Sequence, residues 1–181
     1  DAGKHSIADT KLYPSHAILD PALCCSMSAD LTLATGLDAL SHAMEAVWNR
    51  RHSTMTDKLA ETAIQMTVNV LPKILERPND VELRSEMQTA SVLAGLAMGT
   101  TQTAVAHSIS YPFTARYGMP HGIACSFTLA EVARYNSESE APRLVPIAQG
   151  MGCSVETLPE VLETFLFELG IGSQLSRYVE P

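Results

Sequence analysis

In the segment Gly36-Leu37-Asp38-Ala39-Leu40-Ser41-His42-Ala43-Met44-Glu45 a carboxylate and an imidazole stand four residues apart in an apolar, alanine-rich run. Four residues is about one helical turn, so Asp38 and His42 share one face of a helix. About seventy residues later come His107 and His121, with Pro112 between them and the second inside Pro120-His121-Gly122. Three imidazoles and one carboxylate make a full ligand set for a divalent transition metal such as Fe²⁺ or Zn²⁺. No Cys is read as part of the set, so a thiolate-type structural zinc site is not expected. The expectation is a metal that does chemistry. As a Lewis acid it polarises an alcohol or aldehyde oxygen, which brings hydride exchange with a nicotinamide within reach. Glu45, one turn beyond the first pair, is expected to orient a ligand rather than bind metal.

The elements around these residues read as mainly α. Residues 1–20 look extended, and Tyr13 to Pro21 reads as an edge strand or a buried loop. Ser28 or Asp30 can cap a helix running toward Asp38, with Gly36 marking a close approach or a break between two helices. The stretch with Asp38 and His42 is apolar over more than one stripe, which predicts a helix buried in the interior. Ser53 or Thr54 starts another helix, stopped by Arg77-Pro78-Asn79, and Asp80 caps the next. Ala94-Gly95-Leu96-Ala97-Met98-Gly99 predicts close helix contact. One helix is expected from Pro120 to about Tyr135, and Pro142 and Ser154 open two further segments.

Composition sets the bounds. The chain has 181 residues, 46% of them hydrophobic and 18% charged, which fits one well-packed globular domain. A net charge of −8 leaves no basic stripe to neutralise phosphates, so nucleic acid is excluded as a partner. No apolar run is long enough to span a membrane, and no basic segment followed by an apolar one opens the chain. The four cysteines (Cys24, Cys25, Cys125 and Cys153) lack framework spacing and read as reduced thiols of a cytoplasmic protein. The chain opens at Asp1 without Met and closes at Pro181, and a fragment of something longer is the expectation.

The segment Thr35 to Glu45 resembles the Gly-x-Asp-Ala-Leu-x-His-x-x-Glu signature of iron-containing (group III) alcohol dehydrogenases. Ala106-His107 and Pro120-His121-Gly122 resemble that family's second signature, at its spacing, and Leu19-Asp20-Pro21-Ala22-Leu23 is similar to its domain-junction element. The resemblance implies an N-terminal nucleotide-binding α/β domain and a C-terminal helical domain of the dehydroquinate synthase-like fold. It makes residues 1–20 a remnant of the first domain, and 21–181 the all-helical metal-binding domain, incomplete at its C-terminus. Asp38, His42, His107 and His121 match the family's metal ligands, and Lys4 matches a lysine that approaches the cofactor. The implied cofactors are Fe²⁺ (or Zn²⁺ or a similar ion) and NAD or NADP. The implied activity is alcohol dehydrogenase or aldehyde reductase, in a homo-oligomer. The family's Gly-Gly-x-Ser phosphate loop is absent from these residues, so this chain alone is expected to turn nothing over.

One position departs from the better-known members. Four residues after His107 they carry a histidine that assists proton transfer, where this chain has Tyr111. A phenol has a reference pKa of about 10, against about 6.5 for imidazole. The run His107-Ser108-Ile109-Ser110-Tyr111-Pro112 resembles the branch that includes phosphonoacetaldehyde reductases, which implies an anionic, phosphonate-bearing aldehyde; Arg116 is the one cation close by in sequence. Two rival functions stand beside this one. The first is a noncatalytic helical domain that binds metal for stability or assembly. The second is a dehydroquinate synthase-like lyase, which would need a glutamate at Asp38 and no partner at His42.

Overall fold

The computed structural model describes residues 9–179. A 3-10 turn at Thr10–Leu12 and a second at Pro21–Cys24 precede the helices. These are α1 (Ala29–Trp48), α2 (Thr54–Glu76), α3 (Val81–Thr101), α4 (Val105–Tyr117), α5 (His121–Ser126) and α6 (Leu129–Glu140). A third 3-10 turn at Ala141–Leu144 leads to α7 (Val145–Met151), α8 (Leu158–Glu168) and α9 (Ile171–Leu175). Among the described residues there is no strand. No helix there is long and apolar enough to cross a membrane.

The helix starts follow side-chain chemistry. Ser28 accepts from the Leu31 amide at α1, and Ser53 from the Thr56 amide in a reciprocal capping box at α2. Asp80 accepts from the Glu82 and Leu83 amides at α3. Most of α1 is buried, because α2, α3 and α5 pack around it. Leu37, Leu40 and Met44 of α1 meet Ile64, Leu71 and Ile74 of α2 in the core, which Ile123, Leu129, Ile147 and Leu158 complete. Helix α1 is therefore the central post to which the other elements are fixed.

Several expectations change. Residues 13–20 form neither a strand nor a buried loop: Ile18 is 93% exposed, and Asp20 caps the 3-10 turn that follows. Gly36 does not break α1; a Cβ there would come 2.6 Å from Leu71, so the glycine lets α2 approach. Gly95 and Gly99 have open space around them, and α3 uses Ala90, Ala94 and Ala97 for its buried face. The helix expected from Pro120 to Tyr135 is two, because the chain turns at Phe127-Thr128. Lys4 lies outside the described residues.

Candidate metal centre

Three helices bring the candidate ligands together. Asp38 and His42 project from α1, His107 from the first turn of α4, and His121 from the first residue of α5. The Nε2 atoms of His42, His107 and His121 lie 3.9, 3.6 and 3.8 Å from Asp38 Oδ1. The His42 ring stacks on His107 at 4.7 Å, and His121 meets His107 edge-on at 5.2 Å. One carboxylate oxygen thus sits at the focus of three imidazoles.

The approach of α5 to α1 depends on Gly122. A Cβ there would stand 1.8 Å from the Ala34 carbonyl oxygen and 3.0 Å from Asp38 Cβ. No side chain fits that gap. Glycine next to His121 is the local reason the third imidazole reaches the carboxylate.

Glu45 fixes the position of His107. Fully buried, its carboxylate accepts from the Ala104 amide at 2.7 Å and the Ala106 amide at 2.6 Å, and pairs with His107 Nδ1 at 2.7 Å. Helix α4 has no cap from its own N-cap residue Ala104, so Glu45 of α1 does that work from outside. A carboxylate on Nδ1 selects the tautomer with the proton there, leaving the Nε2 lone pair facing Asp38. Ser110 plays a looser version of this part: its hydroxyl donates to the His107 carbonyl and lies 3.5 Å from His121 Nδ1.

Asp38 Oδ1 and His107 Nε2 are both buried without a hydrogen-bond partner, and at 3.6 Å they are too far apart to serve each other. Two orphaned acceptors facing one point are costly unless a cation sits between them. The donor set, oxygen and imidazole nitrogen, suits a divalent transition ion, so these residues fit the metal expected for them.

The electrostatics agree. Burial pushes the Asp38 pKa up, but His107, His42 and His121 outweigh it and hold the carboxyl below its ordinary value. Burial and the two neighbouring imidazoles keep His42 below its ordinary value against the pull of Asp38. Burial also works against a charged His107, yet Asp38, Cys125 and Glu45 together raise it to about 11. Without a metal, a proton is the cation that this cluster holds.

The tight group whose ligand atoms all lie within 4.8 Å of one another is Asp38, His107, His121 and Cys125. Cys125 stands one turn after His121 on α5, and its Sγ lies 3.7 and 3.6 Å from the two ring nitrogens. His42 stands beside this group rather than within it. Tyr111 is half-buried on α4, one turn after His107. His16 is exposed, and His52 is partly buried and pairs with Asp57 at 2.9 Å.

The comparisons with known proteins fall in line with this geometry. Residues 32–178 match the model of the Fe-containing alcohol dehydrogenase family, C-terminal. The chain is 36% identical over 156 residues to 1-propanol dehydrogenase PduQ of Salmonella typhimurium, covering 84% of this chain and 42% of that protein. It is also 36% identical to the NAD-dependent methanol dehydrogenase of Bacillus methanolicus, covering 86% of this chain and 41% of that protein. Among solved structures, the sulfoacetaldehyde reductase of Bifidobacterium kashiwanohense in complex with NAD⁺ aligns with a TM-score of 0.85. That match has 34% identity and covers 91% of this chain and 44% of the other. The chain belongs to the iron-containing alcohol dehydrogenase family, in the part that forms its helical C-terminal domain. It spans about two-fifths of the length of the curated relatives it matches.

Proposed function

We propose that this chain is the metal-holding helical domain of an NAD(P)-linked alcohol dehydrogenase or aldehyde reductase, with Asp38, His42, His107 and His121 holding divalent iron or zinc. The observation that carries the reading is the pair of buried, unpartnered atoms Asp38 Oδ1 and His107 Nε2, aimed at one point beside His121. When bound, the ion supplies Lewis acidity to the oxygen of an alcohol or aldehyde while a nicotinamide exchanges hydride with its carbon.

The chain's own residues prepare that site. Asp38 brings the one negative charge of the expected set, and Glu45 keeps His107 in the productive tautomer. The His107 side chain is 4% exposed and forms the closed floor. His42 at 23%, Asp38 at 27% and His121 at 33% form the open rim, which is the side from which a small substrate reaches the ion. Tyr111, one turn above His107, supplies or relays the proton that completes an alcohol. Residues 1–20 are the junction to a nucleotide-binding domain, and Lys4 approaches the cofactor. Relatives include both an NAD-dependent methanol dehydrogenase and an NADPH-dependent butanol dehydrogenase, so either nicotinamide suits the family. The relatives' names support small alcohols and aldehydes as the substrate class, and the sulfoacetaldehyde reductase supports the narrower choice of an anionic aldehyde. The exposed apolar side chains Leu31, Val92 and Leu96 on α1 and α3 fit a homo-oligomer.

Metal stoichiometry tests the centre. Asp38→Ala, His42→Ala, His107→Ala and His121→Ala should each bind well under one equivalent of ion, while His16→Ala and His52→Ala keep the full complement. Full retention by the His107 and His121 variants would overturn the metal reading.

A further inference from the structure

We propose that the cavity between the α1–α2 loop and the α3–α4 loop is a second binding site, built for a phosphate group. Its volume is about 440 Å³, in the range of small-ligand pockets, and it shares no lining residue with the candidate metal centre. The proposal therefore stands apart from the metal reading.

The chemistry of the wall is one-sided. Its carbonyl oxygens are already taken: Asn49 Nδ2 donates to those of Gln102 and Thr103 at 3.3 Å each, and Arg143 donates to that of Asn49 at 3.2 Å. The donors are not taken. Arg50 and Arg51 both line the cavity from its exposed rim, and neither guanidinium meets a carboxylate among the described residues. Trp48, 9% exposed, lines it as well, and its indole Nε1 is buried with no hydrogen-bond partner. A buried N–H is costly to leave without an acceptor. No carboxylate is among the lining residues. Charged and neutral donors at one wall thus lack an acceptor that only a ligand can bring.

Charge and backbone point to the same place. Acidic residues outnumber basic ones 20 to 12, so two unpaired arginines on one rim are not what the composition predicts. A guanidinium presents a planar fork of N–H groups that matches two oxygens of a phosphate. Two such forks suit one phosphate group, whereas a nucleic-acid strand needs many cations in a row. Gln102, in the same wall, has φ 71° and ψ 176°, a conformation that favours glycine. Strain of this kind persists where the surroundings fix it, and it collects at ligand clamps. Asn49 does the fixing here, through its bond to the Gln102 carbonyl.

Trp48 is the only tryptophan of the chain, so its fluorescence reports on the cavity. Inorganic phosphate and glycerol 3-phosphate are titrated separately into the metal-free chain, with sodium chloride at equal ionic strength as the blank. Binding is followed by fluorescence and by calorimetry. The proposal expects a saturable change with one equivalent bound, which chloride does not produce. Tighter binding of the ester assigns the site to a phosphorylated small molecule, and equal or weaker binding assigns it to free phosphate. The double variant Arg50→Ala/Arg51→Ala, with helicity checked by circular dichroism, should bind roughly 10–100-fold more weakly, as loss of charge-assisted hydrogen bonds requires. Lys73→Ala, which removes an exposed cation of α2 outside the cavity, should bind as the unmodified chain does. No saturable response in the unmodified chain, or an unchanged affinity in the double variant, would overturn the site. A double variant that fails to fold leaves the unmodified chain's response to decide.

Discussion

Glu45 organises the start of α4 without belonging to the proposed ligand set. Its two oxygens accept from the Ala104 and Ala106 amides at the start of α4 and fix the His107 imidazole beside them. Replacing it with glutamine keeps the shape, but turns one acceptor into a donor facing N–H groups. Glu45→Gln should therefore weaken metal binding by roughly 10–100-fold, the usual cost of losing the group behind a ligating histidine. Competition against a chelator measures this, and an unchanged affinity would mean the tautomer is set elsewhere. Tyr111 is tested by rate instead. If it relays the proton, Tyr111→Phe in the cofactor-competent enzyme should lower kcat by about 10²–10⁴-fold with metal content intact. A wild-type rate would return Tyr111 to a packing role. An anionic aldehyde that fails to outcompete a simple one would remove the narrower substrate choice.

At the scale of elements, the site depends on how closely a six-residue helix lies against a twenty-residue one. Gly122→Ala forces the Ala34 carbonyl and α5 apart. We expect it to destabilise the fold by about 1–3 kcal/mol, the range for overpacking a core, and to lower metal affinity at the same time. Thermal unfolding followed with and without metal separates the two effects. The long helices could be read from the sequence because Ser28, Ser53 and Asp80 carry their caps in plain view and the apolar positions repeat at helical spacing. Asp38 and His42 could be read for the same reason, since one turn is a local property. The place of Cys125 beside His121 could not be read in the same way, because a single cysteine one turn after a histidine has meaning only when the facing helix is known. The break at Phe127-Thr128 and the exposed course of residues 13–20 were hidden for a related reason. Both are set by what packs alongside, which no local pattern records.

For the whole molecule, the proposed metal and a proton would compete for one place, which gives stability opposite pH dependences in the two states. In the metal-stripped chain the His107 pKa is raised from an ordinary 6.5 to about 11, so the folded state holds a proton that the unfolded state releases. Its contribution is complete below 6.5 and is lost as pH rises toward 11. Metal needs the neutral imidazole, so the added stability from saturating Zn²⁺ should grow over the same rise. Melting temperatures taken at several pH values in chelator and in zinc should diverge upward from neutrality. Parallel curves would mean that His107 is not a ligand.

The short length of α5 has a consequence for motion. A helix of six residues cannot sustain itself in water, since closing the first turn costs more than so few hydrogen bonds return. It persists here because Gly122 lets it dock on α1, where its first residue, His121, faces Asp38. In the proposed centre, an ion gripped by α1, α4 and α5 at once would act as a rivet through a segment that would otherwise open and close against the post. Backbone amides in 121–126 should exchange their hydrogens at a rate set by metal occupancy, whereas those of α2, which holds none of the donors, should not respond.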